Sequence, residues 1–80
     1  MTIVARLLNV ARMMEKSPLA EGCRVFYRLA AMSTDYVDSE LWYTISVYAD
    51  RWARKAGDDW TVYMALIDLR DYADHSLCAS

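Results

Sequence analysis

Asp71, Asp74 and His75 are the side chains of this chain whose types and spacing come nearest to chemistry, because His75 lies one helical turn beyond Asp71 and two carboxylates beside an imidazole are metal-ligand types. No second cluster completes a coordination sphere, and His75 falls near the expected end of a helix, so the three read as solvated surface rather than a metal centre. Catalysis is equally thin. His75 is the only histidine, no glycine-rich phosphate loop or nucleophile elbow occurs, and Cys23 and Cys78 lack local partners that would depress a thiol pKa. The expectation is a protein with no catalytic residue, no metal and no cofactor.

Arg24 and Arg28, one turn apart, could grip phosphate, joined by Arg12 and Lys16 if the first two helices pair. Glu21 stands at helical spacing to neutralise them and no aromatic residue interleaves with them, so direct nucleic-acid binding is not expected. Two strips carry a stronger signal. On one, Trp60, Met64, Asp68, Asp71 and His75 share a face at 100° per residue, with Asp74 alongside, opposite an apolar stripe of Val62, Leu66, Leu69, Ala73 and Leu77. On the other, Tyr36, Tyr43, Val47, Asp50 and Arg54 lie across from a stripe through Leu41 and Trp52. Tyr, Trp, Met and Arg are enriched at interface centres, so Trp60, Met64, Asp68, Asp71, Asp74, His75, Tyr36 and Tyr43 are the candidate partner-binding residues. The alternative is that the packing buries two faces of the central helices and Tyr43, Val47, Trp60 and Met64 are core; on the third helix the two readings balance, and on the fourth the flanking carboxylates favour an interface.

The elements that position these strips read as helices throughout. Ile3, Leu7, Val10, Ala11 and Met14 set an amphipathic helix over residues 2–16 capped by Thr2. Ser17-Pro18 predicts a break and a second helix from Pro18 to Met32, with Ser17 as its cap and Leu19, Cys23, Phe26, Tyr27 and Ala30 inward. The third helix starts either in Ser33-Thr34-Asp35 or in Asp38-Ser39-Glu40 and reaches Ala56, with Val37, Leu41, Ile45, Tyr48, Trp52 and Ala56 as its core stripe and the greatest length of the four. Gly57 supplies a left-handed stop, Asp58 or Asp59 the next cap, and a last helix runs to about His75. Sustained alternation and hairpin signals are missing. The fold class is therefore all-α, a compact bundle of four helices with short connections, in one domain over 1–80.

Composition narrows the class further. The 80 residues are 56% hydrophobic, more than one small core easily hides. The net charge of −2 is unevenly spread: residues 1–28 carry five bases and two acids, residues 29–80 four bases and nine acids. Such a dipole lacks the dominant basic face of a nucleic-acid binder. Two cysteines without metal-ligand spacing are expected to be free thiols of a cytoplasmic protein. Arginines interrupt the N-terminal apolar stretch, and no apolar run is long enough to span a bilayer, so no membrane association is expected.

The expected function is that of a small non-enzymatic inhibitor that binds another protein with a basic surface through the acidic and aromatic face of the last helix. In size, acid-rich helical surface and lack of chemistry the chain is similar in kind to toxin-immunity proteins and phage-encoded inhibitors of host defence, including anti-CRISPR proteins, whose carboxylates can stand in for phosphates at a basic channel. The alternatives are a helical homodimeric structural or assembly subunit, and a small regulator that contacts nucleic acid through Arg24 and Arg28.

Overall fold

The computed structural model describes residues 2–79. Among them are four α-helices and no strand: α1 (Ile3–Glu15), α2 (Cys23–Met32), α3 (Ser39–Lys55) and α4 (Trp60–Ala79), with a single 3-10 turn at Ala20–Gly22. α1 packs along α2, α3 along α4, and the two hairpins meet through α1 and α4. The result measures 34 × 21 × 19 Å. It is the all-α four-helix bundle that the periodicity predicts.

Local chemistry sets each boundary. Thr2 is extended and its hydroxyl accepts the Ala5 N–H at 3.1 Å, which starts α1. Ser17 closes α1 rather than capping α2: its hydroxyl donates to the Met14 carbonyl and accepts the Leu19 N–H. Those two bonds satisfy backbone groups in a turn, and Gly22, with its low helix propensity, follows in the 3-10 segment. The second α-helix therefore begins at Cys23, five residues later than Pro18. Ser33 and Thr34 donate to the Leu29 and Ala31 carbonyls and finish α2. That leaves Asp38 to start α3, its carboxylate accepting the Leu41 N–H at 2.8 Å. Gly57, at φ +58°, ends α3 in the left-handed region, and Asp59 accepts the Val62 N–H to start α4. α4 continues past His75 to Ala79 because Leu77, half-buried, extends its apolar stripe by a turn, so α4 and not α3 is the longest helix.

Phe26, Leu7, Met14, Ile45, Leu66 and Leu69 are fully buried at the centre. The inward face of α3 differs from the expected stripe. Ala49 and Ala53 occupy the seam, whereas Val37, Tyr48 and Trp52 are only half-buried. Small residues at the seam let α3 and α4 approach closely, and rings too large for it are displaced to its edge. Trp52 settles there against Gly22, with the Lys55 ammonium 4.7 Å from its ring centre.

Candidate functional surface on α3 and α4

α3 and α4 run antiparallel, as their cross-links show: the Ser46 hydroxyl donates to the Asp74 carboxylate at one level, and Asp50 meets Arg70 one turn along α3 and one turn back along α4. The strips from Tyr43 on α3 and from Trp60 on α4 lie on these two helices, whereas Tyr36 falls in the connection before α3 and lines a groove with Met32, Asp38, Glu40, Leu41 and Thr44. All eight candidate residues are exposed. The apolar ones stand out most: Tyr36 is 77% exposed, Trp60 67%, Tyr43 62% and Met64 48%.

The structure joins the two strips through a residue that belonged to neither. Arg70 donates from one guanidinium nitrogen to Asp50 at 3.0 Å and from the other to Asp71 at 3.2 Å, while the second oxygen of Asp50 holds Arg54 at 3.1 Å. The chain Arg54–Asp50–Arg70–Asp71 thus crosses from α3 to α4. Hydrogen bonds from Asp50 first and Asp71 second push the Arg70 guanidinium above its ordinary pKa, so it stays charged throughout. Its role was hidden in the sequence because its neighbour in the chain, Asp71, gives no sign of the contact with Asp50, twenty residues away.

The acids of α4 do not form one free stripe. Asp68 turns towards α1, where its carboxylate takes the Arg6 guanidinium at 2.5 Å; Asp71 is held by Arg70 and Asp74 by Ser46. Arg6 also lies 4.2 Å from the centre of the Tyr72 ring, which itself sits against Trp42. Asp68 is thus an exposed carboxylate that is nevertheless paired across α1 and α4, and replacing it by a base would set two cations against each other. Local spacing gives no sign of this pair, because its partners are 62 residues apart.

What remains free on this face is aromatic. Trp60 stacks on Tyr63 with ring centres 5.3 Å apart, and Met64 follows one turn after Trp60. Helical rise separates Trp60 from Asp71 by roughly 16 Å. Tyr43 lies one turn before Ser46 on α3, at the Asp74–His75 end of the face. The arrangement is therefore an aromatic group at either end and a neutralised ion network between them.

As chemistry, the surface offers rigid contact area and fixed charges. Among the described residues no three His, Cys, Asp or Glu side chains gather as metal ligands, and no helix is long and apolar enough to cross a membrane. Cys23, half-buried, and Cys78, exposed, are both free thiols. A cavity of about 170 Å³ between α1 and α4 is lined by Arg6, Asn9, Val10, Ala65, Asp68 and Leu69 and is filled on its polar side by the Arg6–Asp68 pair. The predicted local neutralisation of Arg24 and Arg28 by Glu21 is not seen, since Glu21 makes no ion pair with either. Neither protein-family models, nor curated proteins, nor solved structures contain a match to this chain.

Proposed function

We propose that this protein acts by binding another protein through the α3–α4 face and covering the surface it docks on, as a small inhibitor of the kind that includes anti-CRISPR proteins. The observation that carries the reading is the exposure of Trp60, Met64 and Tyr43 on two helices that Arg70 locks together, because rigid aromatic anchors lose little entropy on docking. The ion network sets the expected chemistry of the partner. Asp68 and Asp71 each already hold an arginine, so they serve better as a polar rim that a partner's basic groups can join than as free stand-ins for phosphate. Apolar burial at Trp60 and Tyr43 then supplies affinity, and the rim supplies orientation.

The test is affinity capture from the source cell with immobilised protein, comparing wild type with Tyr43→Ala/Trp60→Ala and with Arg12→Ala, an exposed position on α1. A retained protein lost with the double variant and kept with Arg12→Ala supports the reading. Retention of the same protein by all three would place the working face elsewhere.

A further inference from the structure

The outer edge of α2 carries a pattern of its own. Arg24, Arg28 and Met32 succeed one another at four-residue intervals and are all exposed, so they form one ridge. Past Met32 the ridge opens into a groove of about 390 Å³ lined by Met32, Tyr36, Asp38, Glu40, Leu41 and Thr44. Asp35 is exposed beside Tyr36.

The charges along this edge lack partners within the chain. The ion pairs of the described residues tie up Asp68, Asp50 and Asp71, and none includes Arg24, Arg28, Asp35, Asp38 or Glu40. Between Arg28 and Arg51 the sequence has no base at all. Asp38 spends one oxygen on the Leu41 N–H, which leaves Asp35 and Glu40 as the freer acids. Read along the edge, the order is basic, then apolar, then acidic.

Such an order is its own complement. A two-fold axis through the apolar centre sets Met32 and Tyr36 against the same residues of a second copy, and brings the basic end of each copy to the acidic end of the other, twice over. We propose that this edge is the interface of a homodimer, with Arg24 and Arg28 of one copy facing Asp35 and Glu40 of the other across a seam of Met32 and Tyr36. The occupant is a second copy because the chain itself supplies the missing charge of each sign. Of the candidate partner-binding residues only Tyr36 belongs to this edge, and Trp60, Met64, Tyr43 and Asp71 do not, so the two readings stand or fall separately. An interface of one short helix and a loop is small, which makes the association weak and sensitive to salt.

Sedimentation equilibrium of the full chain, from micromolar to millimolar concentration and at low and high salt, tests this. The expected result is a monomer–dimer equilibrium weakened by salt. Arg28→Glu alone and Glu40→Lys alone should each weaken association by roughly tenfold or more, since each reversal is repeated across the axis. The combined Arg28→Glu/Glu40→Lys chain should regain it, because both pairs re-form with signs exchanged. Both positions of change are exposed side chains, and circular dichroism checks that the fold is kept. A monomer throughout the range, a dimer indifferent to the single reversals, no recovery in the combined chain, or growth beyond a dimer would each overturn the proposal.

Discussion

Asp50 of α3 and Arg70 of α4 meet at 3.0 Å with each side chain about one-third exposed, and through that contact the two longest helices share one charged surface. Arg70 reaches Asp71 on its own helix as well, so one guanidinium joins a carboxylate of α3 to one of α4. The pair is the centre of the proposed face, and it is open to direct measurement.

Arg70→Gln should destabilise the protein by about 1 kcal/mol, a modest figure because solvent screens a pair that is one-third exposed. A double-mutant cycle with Asp50→Asn should give a coupling energy of about 0.5–1 kcal/mol by urea denaturation. A coupling near zero would mean that the network orders the surface without stabilising it.

Gly22 is predicted to resist even a methyl group. A Cβ at this position would lie 2.8 Å from the Trp52 ring and closer still to the end of Met14. Met14 can swing its terminal methyl aside, but the indole is held against the bundle. Gly22→Ala is expected to cost about 1–3 kcal/mol, and Trp52→Leu in the same chain to recover part of that loss in thermal denaturation.

Phe26 and Trp52 separate the centre of the core from its edge. Phe26 is fully buried, so Phe26→Ala should cost about 3–5 kcal/mol, a large share of the stability of an 80-residue domain. Trp52 is half-buried beside the α3–α4 seam, and Trp52→Ala should cost less than Phe26→Ala when both are measured by chemical denaturation. An equal or larger loss at Trp52 would show that its packing against Gly22 anchors the two hairpins to each other.

Tyr27 should titrate later than an ordinary phenol. Burial first, and then the hydrogen bond its hydroxyl donates to Glu15 at 3.0 Å, raise its pKa above 10.0. A raised folded-state pKa means that the folded chain keeps this proton after the unfolded chain has begun to lose it. The contribution to stability is therefore complete below pH 10.0 and falls as the pH rises from there through the folded-state value. In an ultraviolet titration of the six tyrosines, Tyr27→Phe should remove a late-ionising component, and Glu15→Gln should move that component to lower pH. An unchanged late component in both variants would assign it to another tyrosine.

The four helices and most of their ends are legible in the sequence, because helical periodicity and capping act over three or four residues. Thr2, Asp38, Gly57 and Asp59 work through neighbours in the chain, and so do the buried repeats of Leu7–Met14 and Val62–Ala73. Periodicity placed Tyr43, Trp60 and Met64 off those repeats but left open whether a second packed face would bury them, and the packing leaves all three exposed. Which acids are free follows from the packing of the helices and not from local spacing. Arg6 takes Asp68 and Arg70 takes Asp50, and both choices depend on the order in which the helices pack and on the register of α3 against α4. The seam of α3 likewise fell to Ala49 and Ala53 rather than Tyr48 and Trp52, because periodicity reports which face turns inward but not how closely the opposing helix approaches. An ion pair or a close approach between residues twenty or sixty positions apart leaves no trace in local spacing, and it was there that the acidic stripe of α4 became part of the scaffold.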